Sequence, residues 1–171
     1  MFSNLEKQLK IGRSFQPFFK HRKILISFFG AFIAINILAL VCIYNDQSLL
    51  IAPFGASTVL IFGAEQSPLA QPRNLIMGNL LGSISAVFSF SFFGNNSFSC
   101  GIAVAIAIAF GQFFRCLHPP AGAVALLGVI SNANLDFILS PILIGSLILA
   151  MWGIIFNRVF NKKSTYPVHW I

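Results

Sequence analysis

Long apolar runs separated by short polar stretches dominate this chain of 171 residues. Four of the six runs have about 16 to 21 residues, near the ~20 that an α-helix needs to cross ~30 Å of hydrocarbon, and two are shorter. The runs predict helices at 24–43, 49–63, 74–93, 99–114, 121–130 and 137–157. We therefore predict an all-α, polytopic membrane helix bundle with six membrane segments.

The two short segments begin with proline, at Pro53 and at Pro119. Proline is favourable at the first position of a helix, so helices are predicted over 53–63 and 119–130. Each is ~16 to 18 Å long, about half the thickness of the hydrocarbon. The N–H groups at such a start are tolerated in lipid only where protein or a water-lined cavity satisfies them. The sequence thus predicts two half-helices that begin inside the membrane beside a solute path.

Charge placement separates two topologies for these short segments. If each returns to the side from which it came, the chain has four spans, and if each completes a crossing, it has six. With six spans and a cytoplasmic N-terminus, all 11 basic residues face the cytoplasm, and the outer loops carry only Asp46 and Asp136. Four spans would move Arg73 and Arg115 outside. Six spans with both termini in the cytoplasm are preferred.

An internal similarity supports the same topology. Residues 53–61 align with 119–127 at an offset of 66, and both read as proline, small residues and an aliphatic run. A spanning segment precedes each, and a Ser-Pro loop and a second span with an early glycine, Gly78 or Gly145, follow each. Because one unit has three crossings, the second copy is inverted relative to the first. The predicted repeats cover about 24–93 and 99–160, and chance alignment of apolar sequence is the alternative.

Composition and charge narrow the class of protein. Hydrophobic residues make up 57% of the chain, charged residues 9%, and the mean hydropathy is +0.84, which leaves no room for a separate soluble domain. We divide the chain into a basic amphipathic segment (1–23), a membrane domain (24–160) and a cytoplasmic tail (161–171). The net charge of +7 is expected to hold the first segment on an anionic leaflet rather than to bind nucleic acid.

Geometry indicates the chemistry of the predicted path. If the two half-helices reach opposite surfaces, their N-termini meet near the midplane, where two positive dipole ends and unpaired N–H groups suit a small anion. His118 could donate to the anion, take up a proton as it passes, or cap local backbone. Ser57 and Thr58 either line the path or bond the preceding turn. The predicted substrate-binding and translocation residues are Pro53, Phe54, Gly55, Ala56, Ser57, Thr58, His118, Pro119, Pro120, Ala121, Gly122 and Ala123.

Five polar residues are expected to form a vestibule or to hold helices together: Gln71, Arg73, Asn74, Asn79 and Arg115. The two arginines could attract anions, pair with Glu65 or anchor helix ends at the headgroups. The asparagines could bridge helices.

Small and aromatic residues suggest further contacts. Gly78, Gly82 and Ser85 form a small-residue face that suits either a homo-oligomer or packing within one subunit. Three aromatic residues are expected to anchor the chain at the membrane interface: Trp152, Tyr166 and Trp170. The three cysteines show no metal-binding spacing, so no metal or cofactor is predicted.

Together these residues resemble the HPP family of integral membrane proteins from about residue 27 to the C-terminus. The resemblance rests on the motifs SFFGAF at 27–32, APFGAS at 52–57, SPLAQPRN at 67–74, HPP at 118–120 and YPVHW at 166–170. Plant and cyanobacterial members are described as nitrite transporters. The resemblance therefore implies transport of a small anion, with nitrite as the leading substrate, and the bacterial inner membrane is the expected location.

Other functions stay open at this point. The solute could be nitrate, formate, bicarbonate or chloride, and the protein could be a passive channel or an accessory subunit. An intramembrane enzyme would use His118 with Cys116 or Glu65, but no nucleophile, base and orienting group recur at a usable spacing in the sequence. We therefore expect no catalytic activity.

Overall fold

The computed structural model describes residues 18–45, 52–161 and 165–169, and within them every regular element is helical. The helices are α1 (His21–Asn45), α2 (Ala52–Gly63), α3 (Pro72–Phe93), α4 (Ser97–Phe113), α5 (Pro119–Ile130) and α6 (Leu135–Phe160). A short 3-10 helix, Pro68–Ala70, lies between α2 and α3. The predicted all-α class is confirmed. Most of the basic segment 1–23 and Trp170 lie outside the described residues.

Helix lengths follow the apolar pattern. Of the described helices, α1, α3 and α6 are long and apolar enough to cross a membrane, and α2 and α5 have 12 residues each. Both short helices carry proline at the start, as predicted, because a proline there sacrifices no intrahelical hydrogen bond. The number of crossings stays a prediction.

One end of the bundle is basic. Lys23, in the first turn of α1, forms an ion pair with Glu65, which follows α2. Asn161, after α6, donates a hydrogen bond to the same carboxylate over 3.3 Å. Arg73, in the first turn of α3, donates to the carbonyls of Phe114 and Arg115 after α4. These contacts place the start of α1 and α3 and the end of α2, α4 and α6 together, and we call this the basic end.

The opposite end is polar and carries no described basic residue. Asn95, between α3 and α4, donates to the carbonyl of Ile130 at the end of α5 over 3.0 Å and to Asn132 over 2.9 Å. We call this the Asn95 end. The two short helices therefore run in opposite directions from the interior, α2 toward the basic end and α5 toward the Asn95 end.

Glycines in α3 let α5 approach closely. A Cβ on Gly78 would lie 2.5 Å from the Cβ of His118, and one on Gly82 would meet the carbonyl of Ala121. Ser85 on the same face bonds its own preceding turn. The small-residue face of α3 thus packs against α5 within one subunit. The homo-oligomer stays a prediction.

Helix α6 is less regular than predicted. Its first part contains a wide turn at Ile138–Leu143, in which Ser140 has extended backbone angles (φ −133°, ψ 120°). Pro141 explains the break, because it has no N–H to donate to the preceding turn. The apolar pattern alone gave no sign of it.

The C-terminal segment folds back onto the bundle. The hydroxyl of Tyr166 donates to the carbonyl of Ala70 over 3.0 Å, and the backbone N–H of Val168 donates to Gln71 Oε1 over 2.8 Å. Tyr166 is buried, which raises the pKa of its phenol. The expectation that Tyr166 anchors the chain in headgroups is wrong, because its ring fills the core instead. Trp152 is half-buried and donates to the carbonyl of Gly30.

We expect Tyr166→Phe to lower the free energy of unfolding by about 1 kcal/mol, because the carbonyl of Ala70 loses its partner while the ring stays in place. Chemical unfolding in mixed micelles measures this. Val168→Ala, which trims a half-exposed side chain and keeps the backbone N–H, is the control. An unchanged free energy for Tyr166→Phe would mean that the hydrogen bond from Tyr166 to Ala70 does not stabilise the fold.

We expect Lys23→Met to cost about 1–2 kcal/mol, because it leaves the Glu65 carboxylate, whose side chain is only 10% exposed, without its cation. Arg22→Met, at an exposed neighbour, is the matched control and should cost almost nothing. The double variant with Glu65→Gln should recover part of the loss. Equal costs for Lys23→Met and Arg22→Met would contradict the pairing.

Candidate functional site

A buried contact joins the two short helices. His118 is the residue before α5, with 2% of its surface exposed, and its Nε2 lies 2.9 Å from Ser57 Oγ, which is fully buried in α2. The other ring nitrogen, Nδ1, lies 2.8 Å from the carbonyl oxygen of Leu69. Because that carbonyl can only accept, Nδ1–H donates to it, and Nε2 of the neutral ring accepts from the hydroxyl of Ser57. We call His118, Ser57 and Leu69 the junction.

The elements around the junction fix the imidazole. Leu69 belongs to the 3-10 helix, whose start is capped by Ser67 Oγ accepting from the N–H of Leu69. Gly78 of α3 supports the ring from the other side, since its missing side chain leaves room for the Cβ of His118. The ring therefore sits between the middle of α2, the loop before α3 and the start of α5.

The start of α5 contacts α2 beyond its first turn. His118 touches Ser57, five residues after the start of α2, which is about 7.5 Å along the helix axis. The start of α2 is held elsewhere, with the ring of Phe54 against Gly145 of α6. The cavity shared by the two helix ends stays a prediction.

Burial divides the predicted residues of α2 into two groups. Pro53, Phe54, Ser57 and Thr58 face the interior, whereas Gly55 is partly exposed and Ala56 is exposed. The hydroxyl of Thr58 donates to the carbonyl of Phe54 over 2.8 Å, which is the second of its two expected roles. Only Ser57 of this helix presents a polar side chain to α5.

Five predicted residues at the start of α5 line a cleft of about 620 Å³ at the side of the bundle, and α4 forms its other wall. The lining is mostly apolar, and it includes no residue of α2. Pro119 and Ala123 are exposed, and Pro120 is buried but does not line the cleft. The complete lining is Val104, Ala107, Ile108, Leu117, His118, Pro119, Ala121, Gly122, Ala123 and Leu126.

The polar residues of α3 bridge helices, as expected of the asparagines. Asn74 donates to the carbonyl of Leu117 over 2.9 Å, and Asn79 donates to Ser146 Oγ of α6 over 3.1 Å. Gln71, before α3, donates to the carbonyls of Glu65 and Ser67.

The two arginines lie at the basic end. Arg73 donates to backbone carbonyls and thereby joins α3 to the loop after α4, and Arg115, in that loop, is exposed with φ of 53°. Glu65 pairs with Lys23 instead of either arginine. Both guanidinium groups can still attract an anion to this end.

Sequence reasoning missed three features of this region. Ser146 and Leu69 complete the polar contacts, but a serine in an apolar helix and a backbone carbonyl carry no sequence signal. A second cavity of about 420 Å³ lies at the Asn95 end. Its lining includes Ser131, Asn132, Asn134 and Asp136, and the polar run SNAN at 131–134 could have indicated it.

The contact of Ser57 with His118 also has the form of a nucleophile beside a base. The carbonyl of Leu69 orients the ring, and the hydrogen bonds of His118 with the described residues include neither Cys116 nor Glu65, which pairs with Lys23 at the basic end. Ser57 itself does not line the neighbouring cleft.

Comparison with known proteins gives one family and two relatives. A family model described as "HPP, transmembrane region" matches residues 16–167. A transmembrane protein of Dictyostelium discoideum is 39% identical over 153 residues, which cover 82% of this chain and 53% of the relative. A second from the same organism is 38% identical over 156 residues, covering 84% and 50%. The chain spans about half the length of the curated relatives it matches. No significant match to a solved structure is found.

Proposed function

The chain belongs to the HPP transmembrane family, and from that premise we propose that it transports a small inorganic anion across a membrane, with nitrite as the leading substrate. One observation carries the proposal: two half-length helices begin inside the bundle, and a buried serine and histidine join them. Such interrupted helices line solute paths in many transporters. The choice of nitrite as the leading substrate rests on the resemblance of the sequence motifs to the HPP family.

The charges of the bundle favour an anion. Among the described residues the two carboxylates are Glu65 and Asp136, and neither lies at the junction; Glu65 is also paired. A cation path would need carboxylates or a ring of free carbonyls there. The dipole of α5 adds partial positive charge beside His118.

The junction in its present state is closed, and it suggests how a proton could open it. The neutral ring of His118 donates only to Leu69, so it has no free donor for an anion. A proton on Nε2 would end its role as acceptor for Ser57 and give it an N–H for the passing anion. We therefore propose that the anion moves together with a proton.

The inverted repeat is part of the proposal, and the glycine contacts support it. Gly78 of α3 receives His118 at the start of α5, and Gly145 of α6 receives Phe54 at the start of α2. The last helix of each predicted repeat thus holds the short helix of the other, which an approximate twofold relation explains.

We also propose that the basic end faces the cytoplasm, because Lys23, Arg73, Arg115 and Arg158 all lie there. An impermeant maleimide should label Asn95→Cys from outside intact cells and Arg115→Cys only after lysis. The reverse pattern would contradict the orientation. We propose the bacterial inner membrane as the location, so the labelling is done in intact bacterial cells.

Uptake into liposomes that contain the purified protein tests the function. We expect faster entry of nitrite than of chloride or potassium when the outside is more acidic, beyond the diffusion seen in protein-free liposomes. An anion flux that does not depend on the pH gradient would indicate a passive pore. The absence of any anion flux would overturn the proposal.

A second candidate, an intramembrane hydrolase, is favoured by the distance of 2.9 Å between Ser57 Oγ and His118 Nε2. A fluorophosphonate probe would then label Ser57 in the wild type and not in Ser57→Ala. The transporter account predicts no labelling, since it gives Ser57 no role as an activated nucleophile.

A further inference from the structure

A fully buried amide in α3 lacks one of its hydrogen bonds. Asn79 Nδ2 donates to Ser146 Oγ over 3.1 Å, while Asn79 Oδ1 has no partner among the described residues. Both side chains are completely buried, at least seven residues from the ends of α3 and α6. A buried polar atom without a partner is rare and costly, most of all in hydrocarbon, so a functional reason is expected.

The surroundings of this amide connect it to both short helices. Gly78, next to Asn79, touches His118, and Gly145, next to Ser146, touches Phe54. The pair therefore lies between the starts of α5 and α2, close to the junction.

The positions of the pair also fit the axis that relates the two predicted repeats. Residues 79 and 146 are 67 positions apart, one more than the offset between the two proline motifs. Equivalent residues of two repeats touch each other only near the axis that relates them. Substrate sites of transporters built from inverted repeats lie at that interface.

The chemistry of the pair allows either end of the amide to be free. The hydroxyl of Ser146 can accept from Nδ2 or donate to Oδ1, so rotation of the amide keeps one bond and exposes the other group. With Oδ1 toward Ser146, the NH₂ group of Asn79 is free to donate. An uncharged donor in a buried site can bind an anion and release it again.

We propose that Asn79, oriented by Ser146, is the residue that selects the substrate: its amide donates to an oxygen of a small oxyanion such as nitrite. This inference rests on the proposed transport function and adds to it the residue that distinguishes an oxyanion from chloride. Chloride accepts hydrogen bonds equally from every direction, whereas a nitrite oxygen accepts along its lone pairs, so a donor held at one angle favours an oxyanion.

The test compares rates of nitrite and chloride uptake in proteoliposomes. Asn79→Leu keeps a similar volume without polar groups, and Asn79→Asp keeps the shape but can no longer donate. We expect the ratio of nitrite to chloride rates to fall about fivefold in Asn79→Leu, the effect of one hydrogen bond, and about as much in Asn79→Asp, whose charge slows both anions. Ser146→Ala should lower it less.

Two controls separate selection from folding. Asn36→Leu removes an exposed asparagine of α1 that bonds only its own preceding turn, and the ratio should stay at the wild-type value. Each purified variant is also heated with and without nitrite. We expect nitrite to raise the melting temperature of the wild type and of Asn36→Leu, and to raise that of Asn79→Leu less at the same concentration.

The outcomes distinguish this inference from the function on which it rests. A selective wild type whose ratio and nitrite stabilisation survive in Asn79→Leu overturns the role of Asn79 and leaves transport intact. A wild type that neither moves nor is stabilised by any anion overturns both.

Discussion

Replacing Gly78 by alanine is expected to destabilise the protein by about 2–3 kcal/mol, the largest effect on folding that we predict. The added Cβ would lie 2.5 Å from the Cβ of His118 and 2.9 Å from the carbonyl oxygen of Cys116. One contact involves backbone and the other the base of a side chain, so neither can turn aside. The start of α5 must move away from α3. Chemical unfolding in mixed micelles measures the loss.

Gly101→Ala is the matched control for this substitution. Gly101 lies in α4, and a Cβ there would meet nothing within 4 Å. Alanine is the better helix former, so this variant should be as stable as the wild type or slightly more stable. Equal destabilisation by both variants would mean that the contact of α3 with α5 is looser than the structure has it.

Replacing His118 by alanine is expected to lower proton-driven nitrite uptake at least about tenfold, the change that about 1.4 kcal/mol produces. The variant removes the only ring at the junction and leaves Ser57 and Leu69 without their common partner. It also removes the group that would carry the proton. Initial rates in proteoliposomes with an acidic exterior measure this.

Two companion variants make the result specific to the imidazole at the junction. His21→Ala removes an exposed histidine at the start of α1 and should leave the rate unchanged. Ser57→Ala keeps the ring bonded to Leu69, so it should keep the response to the pH gradient, with a rate within about threefold of the wild type. A His118→Ala protein that folds and still follows the pH gradient would make His118 purely structural.

The sequence predicted the helices well because lipid leaves the chain few choices. Apolar length and the starting prolines determined α2 and α5 to within a few residues, since a backbone in hydrocarbon must bond internally. The apolar run predicted helix through Ser140, whereas the Ser140-Pro141 dipeptide predicted a loop before the last span, and the break in α6 lies at that dipeptide. Tyr166 was misplaced because an aromatic residue near a helix end fits both a headgroup anchor and a core.

The site was predicted in part, and for a physical reason. His118 and the asparagines stand out as polar residues in apolar sequence, and the structure gives each a partner. Which partner they take depends on how α3 and α6 pack against the short helices. Ser57 and Leu69 lie 61 and 49 residues before His118 in the sequence, so no local sequence pattern predicts their contacts with it.

The most direct test of the account asks whether the anion passes the junction. Ser57→Cys is made in a protein whose native cysteines, Cys42, Cys100 and Cys116, are alanine, and a small anionic thiol reagent is added during nitrite uptake. We predict that labelling stops the flux and that excess nitrite slows the labelling while chloride does not. Asn95→Cys, exposed in the loop between α3 and α4, should be labelled without loss of flux. A labelled Ser57→Cys protein that transports nitrite at its full rate would contradict a path between the two short helices.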